Sequence, residues 1–305
     1  MTLELTYAEE LSTTTWKSPA SGLWVASDSA SYLGMVERIE GRYVDLGASY
    51  LTASDDDFAA VVGSWTHRGL ATPWTQTFAV LDADEEPRTK DGPVRWGAPG
   101  GLRSLVEDLA TDLEVDLDHH LEALPDAPVV VLAMPDVQAV RLLPPDPSYD
   151  AVRRRLDRPS EPVLALAAWW DERGWDLDGA FVNGHDVIGW VADDGRRRGD
   201  GAPVLVAHST PEFAEPHLEE PQAAAEPMTT ALCGLLGLER PVGTYLHRWS
   251  LARPTGERDE PFLLEEVGDR LVGACGDGWG ATSKVETAWL SGRDLGRAIA
   301  QRLAA

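Results

Sequence analysis

Near the C-terminal end, Val285, Ala288, Trp289, Leu295, Ile299 and Leu303 recur at helical spacing, which predicts a helix over 285–303 with one buried face. A second helical pattern covers 58–68, with Asp55, Asp56 and Asp57 at its start, where the helix dipole favours acids. Leu102, Leu105, Val106, Leu109 and Leu113 follow Pro99-Gly100-Gly101 and predict a third. A fourth, over 222–238, enters through Pro221 and is expected to break or kink near Pro227. A short helix is expected over 7–11.

Elsewhere the pattern is that of strands. Residues 129–134 are uninterruptedly apolar and closed by Pro135, as in a strand buried on both faces of a parallel sheet. Shorter runs at 163–170, 179–182, 187–192, 204–208 and 246–251, separated by turn residues, predict an antiparallel sheet. Residues 23–26 and 43–48 add two more candidate strands, and 144–147, 196–201 and 254–260 read as linkers. The expected fold class is α/β.

Charge narrows the partners. The 305 residues carry 51 Asp plus Glu against 26 Lys plus Arg, a formal charge of −25, which repels nucleic-acid phosphates and anionic membranes. No apolar run reaches the length of a membrane span, and no basic-then-apolar leader opens the chain. A soluble, cytoplasmic protein acting on a small molecule is expected. Cys233 and Cys275, without further Cys or His at ligand spacing, are expected to be reduced and unpaired. The adjacent His119 and His120 diverge on either a strand or a helix, so no metal site is expected.

The chemistry-bearing motif is Cys275-Gly276-Asp277-Gly278-Trp279-Gly280, a turn opening onto the C-terminal helix. Such a turn presents backbone N–H groups and a helix N-terminus to an anion. Followed by Val285-Glu286, Ala288 and Ser291-Gly292, it resembles the second flavin-contacting motif of FAD-dependent amine oxidases and, more closely, of renalase-like flavoproteins. Further stretches resemble that family in the same order: 42–52, containing Asp45-Leu46-Gly47-Ala48-Ser49-Tyr50; Pro99-Gly100-Gly101; the 129–135 strand; His208-Ser209-Thr210-Pro211-Glu212-Phe213 with His217; and His247-Arg248-Trp249 with Ala252-Arg253-Pro254.

The resemblance implies a Rossmann-like FAD/NAD(P)-binding domain, here reduced, interleaved with a mostly antiparallel substrate domain. Residues 1–53, 96–140 and 262–305 would form the first, and 54–95 and 141–261 the second. It implies FAD contacts at Gly47, Ala48, Gly276, Asp277 and Val285, with Asp28 on a ribose hydroxyl. Tyr50, His208, Arg248, Trp249 and Trp279 become candidates to face flavin or substrate. The implied activity is hydride transfer from a small dihydronicotinamide- or amine-like donor, with electrons passed to oxygen or another acceptor. The family's Gly-x-Gly-x-x-Gly turn is missing: residues 1–34 contain only Gly22 and Gly34. FAD is therefore expected to bind weakly or not at all. Two alternatives stay open, a cofactor-poor remnant acting as a binding protein, and a chain whose native start differs from residues 1–34.

Overall fold

A computed structural model of the chain describes residues 13–18, 23–28, 36–39, 41–82, 86–116 and 121–304. At the centre of a six-stranded sheet lie three parallel strands, Arg270–Ala274, Val129–Ala133 and Leu23–Asp28, in that order. Side chains alternate across a strand, and the apolar run at the sheet's centre shows why it is apolar throughout. Val130 and Leu132 pack with Leu142, Tyr149 and Val152 on one face, while Val129 and Val131 pack with Leu295 and Ile299 on the other. Leu295 and Ile299 belong to the C-terminal helix, Val285–Ala304, which covers that second face.

The flanking strands of this sheet are antiparallel. Leu263–Val267 returns beside Arg270–Ala274 through Gly268, whose φ of 65° is one that glycine adopts without strain. On the other side Thr13–Ser18 pairs antiparallel with Leu23–Asp28, and Glu114–Asp116 pairs antiparallel with Thr13–Ser18.

The second sheet has seven strands in the order Gly243–Pro254, Ser160–Trp169, Val204–Ser209, Ile188–Asp193, Gly179–Asn183, Thr72–Asp82, Arg88–Gly97. All neighbours are antiparallel except Gly179–Asn183 against Thr72–Asp82. One face packs under the helix Ala225–Leu236 through Leu166, Leu205, Met228 and Leu232. The opposite face, through Val163, Ala165, Val206 and Trp249, receives Val44 and Leu46. A small ribbon, Val36–Ile39 with Arg42–Asp45, delivers the chain to that face. The chain passes back and forth between the two large sheets, so a Rossmann-like α/β unit and a mostly antiparallel unit are interleaved.

Several expectations change. Residues 196–201 are no linker: the helix Asp194–Arg198 occupies this stretch, and Arg197 is only 1% exposed. Pro227 does not kink its helix, because the α-helix begins at Ala225 after a 3₁₀ turn over Pro221–Ala224. Pro227 thus falls in the first turn, where a missing N–H costs nothing. The long hairpin Thr72–Asp82 with Arg88–Gly97 was not foreseen, nor was the Leu263–Ala274 pair. The short helix expected over 7–11, and His119 with His120, lie outside the described residues.

Candidate functional site

The segment 45–55 runs from the small ribbon to the helix Asp56–His67, and it is held from below by charge. Arg197 donates from its two terminal nitrogens to the carbonyls of Ser49 and Asp45, each at 3.0 Å, and pairs with Asp194. Asp194 also pairs with Arg42. Arg198 reaches the Asp45 carboxylate at 3.3 Å and the Pro99 carbonyl at 2.8 Å. Asp45 in turn accepts the Leu102 N–H at 3.0 Å, which supplies the helix Leu102–Leu109 with the side-chain cap that its N-cap Gly101 lacks. Burial pushes the Asp45 carboxyl upward and Asp194 adds to the push, while Arg197 and Arg198 oppose it.

Two of the sequence candidates hold the same loop. The Leu46 carbonyl accepts from Trp249 Nε1 at 3.2 Å and lies 3.0 Å from His208 Nε2. A carbonyl can only accept, so Nε2 carries the hydrogen. Burial first, and the nearby Arg253 second, push the His208 pKa down to about 3, so the ring is neutral. The sequence reading cast His208 and Trp249 as facing a ligand; in the structure these nitrogens turn to the main chain. Arg248 donates to the Leu218 carbonyl.

Tyr50 leaves this braced loop toward the seven-stranded sheet. Its ring centroid lies 5.3 Å from Phe78, 5.9 Å from Trp190 and 6.2 Å from Trp74. Phe181 meets Phe78 edge-on at 5.5 Å, and Trp190 Nε1 donates to Ser49 Oγ at 2.9 Å. Over Phe78, 3.8 Å from its centroid, sits the guanidinium of Arg95. Sequence reasoning found Tyr50 and missed the rest of this aromatic cluster.

The other candidates gather after the Arg270–Ala274 strand. Gly276 has φ 144°, and its N–H donates to Ser291 Oγ at 3.2 Å. Asp277 accepts from Ser283 Oγ; burial pushes its carboxyl up and that hydrogen bond opposes the push. Trp279 is buried in the core of the six-stranded sheet beneath Arg258, 3.9 Å from the ring centroid, and Arg258 pairs with Asp136 at 2.7 Å. Arg158 donates to the carbonyls of Thr255, Gly256 and Gly278, which fastens the loop from its carbonyl side.

Glu286, in the first turn of the C-terminal helix, links the two groups. Its carboxylate accepts from Ser54 Oγ at 2.8 Å and from the Asp55 N–H at 2.7 Å. Val285 and Ala48 also pack against one cluster, around Leu51, Phe58 and Leu102. Gly47, Ala48, Tyr50, His208 and Trp249 thus surround one loop, Gly276, Asp277, Trp279 and Val285 lie on or beside a second, and Glu286 ties the loops together. Asp28 ends its strand one residue past Ser27, the partner of Ala133, at the edge where all three parallel strands finish. Among the described residues no cluster of His, Cys, Asp or Glu is arranged to hold a metal. Cys233 and Cys275 are free, and burial pushes the Cys275 thiol up to about 12.

A flavin dinucleotide has two ends to satisfy. The two tied loops offer backbone and small residues to the ring end. The diphosphate end requires a helix N-terminus after a first parallel strand. Here Thr13–Ser18 and Leu23–Asp28 are antiparallel and joined by residues 19–22 alone, whereas a parallel crossover takes a dozen residues or more. Among the described residues, small side chains and main chain in the two tied loops suit the ring end, and no turn onto a helix N-terminus after Thr13–Ser18 suits the diphosphate end.

No known family profile matches the chain. Among solved structures it is similar to a mutant of putrescine oxidase made in a redesign of cofactor binding, with TM-score 0.60 and 13% identity over 88% of this chain and 91% of that chain. Wild-type putrescine oxidase bound to putrescine gives TM-score 0.58 and 12% identity over 90% of this chain and 91% of that chain. A looser likeness, TM-score 0.41 and 17% identity, covers 53% of this chain and 41% of a structure described as a protoporphyrinogen oxidase from Exiguobacterium. The fold is that of these putrescine oxidase structures. Among the described residues no helix is long and apolar enough to cross a membrane.

Proposed function

We propose that this chain is a flavin-dependent oxidoreductase resembling the renalase-like proteins, which takes a hydride from a small donor and passes the electrons to oxygen or another acceptor. One observation carries the reading: the Glu286 carboxylate fastens the 45–55 segment to the start of the C-terminal helix, which supports reading the two flavin-like motifs as one site. Gly47, Ala48, Gly276, Asp277 and Val285 would line the ring and ribityl end, and Asp28 would take a ribose hydroxyl. A flavin held there supplies the hydride acceptor. The protein's own part is positional: neutral His208 and Trp249 fix the Leu46 carbonyl, and Tyr50 walls the substrate side. We assign 1–53, 96–140 and 262–305 to the cofactor side and 54–95 and 141–261 to the substrate side.

The antiparallel pairing of Thr13–Ser18 with Leu23–Asp28 favours a second reading, a cofactor-poor relative that binds a small molecule without turnover. Titration of the purified chain with FAD, FMN and riboflavin separates the two. On the first reading all three flavins show a perturbed visible spectrum and similar affinities, because the adenosine half finds no cradle. A dihydronicotinamide then bleaches the bound flavin under anaerobic conditions. Unchanged spectra for all three flavins would overturn the first reading in favour of the second.

A further inference from the structure

Arg88–Gly97 is the edge strand of the seven-stranded sheet, and its register against Thr72–Asp82 slips next to Arg95. Thr77 faces Asp91 and Thr75 faces Arg95, so one strand advances by two residues while the other advances by four. The surplus is taken up by Gly92-Pro93-Val94. Bulges of this kind turn a side chain away from the direction that the pleat would give it. A Cβ on Gly92 would lie 2.7 Å from Arg95 Nη2, so the guanidinium would have to shift to admit one. Pro93 has no N–H for the interrupted ladder to orphan.

The bulge places Arg95 over Phe78 and 5.8 Å from the centre of Tyr50, with the residue 5% exposed. Among the described residues no carboxylate forms an ion pair with it, and its Nη1 is buried without a hydrogen-bond partner. Trp74, whose ring packs against the same Tyr50 and Phe78, has a buried Nε1 that also lacks a partner. Buried polar groups are ordinarily satisfied and buried charges ordinarily paired. Both orphans are donors, and neither guanidinium nor indole has a nitrogen that accepts.

The missing component therefore supplies acceptor oxygens and negative charge. A planar guanidinium matches a carboxylate by two parallel hydrogen bonds. Beneath it Tyr50, Phe78, Phe181 and Trp190 form a packed aromatic cluster, whose margin suits an apolar body. We propose that the Arg95 margin of this cluster binds a carboxylate carried on an apolar molecule, with Arg95 and Trp74 as its donors. An ammonium ion entering the same place meets an unneutralised cation, so the site discriminates against amines. The proposal does not rest on the flavin reading, and its test is run without added flavin.

Isothermal titration of the purified full chain with phenylacetate, phenylacetamide and phenethylamine tests it. Phenylacetate is expected to bind about tenfold or more tightly than the amide, the difference of a charge-assisted hydrogen bond, and the amine to bind weakest. Arg95→Gln should abolish the preference for the carboxylate and leave the melting temperature unchanged or higher, because a buried uncompensated charge has been removed. Trp74→Phe should weaken phenylacetate binding and leave the fold intact. Equal binding of acid and amide, tighter binding of the amine, no binding of any of the three, or a preference that survives Arg95→Gln would overturn the proposal. So would a lower melting temperature for Arg95→Gln, the mark of a purely structural arginine.

Discussion

Arg197 and Arg95 are both almost wholly buried, and their surroundings are opposite. Arg197 lies among Asp45, Asp194, Arg198 and Arg42, with both terminal nitrogens engaged and Nε alone without a partner. Arg95 lies among aromatic rings, with a terminal nitrogen unsatisfied. Below the loop, charge is neutralised within the chain, and the result is a rigid support. Above it, charge is left over, and the result is a place for something the chain does not contain. A buried arginine is thus informative chiefly through its partners.

The contrast can be broken most severely at Asp194. Asp194→Ala strands Arg197 in the interior and removes a partner of Arg42, and loss of one member of a buried pair costs about 3–5 kcal/mol. Urea unfolding should register that loss. If Asp194→Ala is as mild as Arg95→Gln, the two regions do not differ as described. Next in size is an acid effect through His208. Its folded pKa of about 3 lies below the ordinary 6.5, so between those values the unfolded chain binds a proton that the folded chain refuses. Stability from this residue is complete above pH 6.5 and is lost as pH falls toward 3, at about 1.4 kcal/mol per pH unit. Unfolding curves of the wild type and His208→Gln at pH 7 and pH 5 should show the extra slope in the wild type alone. Trp249→Phe is milder, at about 1–2 kcal/mol, since the Leu46 carbonyl keeps His208 as a partner when the indole N–H is gone. A change in the same unfolding assay beyond that range would mean that Trp249 does more than brace the loop.

The supporting framework was largely legible in the sequence. The apolar run 129–134 named the central parallel strand because burial on both faces demands it, and Gly276-Asp277 before the Val285 pattern named the loop and the helix. The Tyr50 wall came from motif resemblance. Arg95 was hidden because its strand, Arg88-Thr89-Lys90-Asp91-Gly92-Pro93, is polar on both faces and contains two turn-forming residues. An edge strand with a bulge has the composition of a loop, and only pairing with Thr72–Asp82 shows otherwise. Arg197 was misread for a similar reason. Three successive arginines between glycines look solvated until the carboxylates of Asp45, Asp193 and Asp194 are seen to close on them. Sequence pattern reports what water avoids, and it is silent on which charges find each other.

The central strand Val129–Ala133 finds its neighbour Arg270–Ala274 only after five strands of the seven-stranded sheet have been threaded between them. Glu286 likewise reaches back 231 residues to the main chain of Asp55. Contacts of such sequence separation form slowly, because the intervening loop must be closed before they reward the closure. During synthesis the antiparallel sheet can condense first, while an apolar strand edge waits for the last part of the chain to emerge. The site is therefore assembled last, and a ribosome-bound or truncated chain ending before Leu263 would carry that edge unpaired, as a template for aggregation.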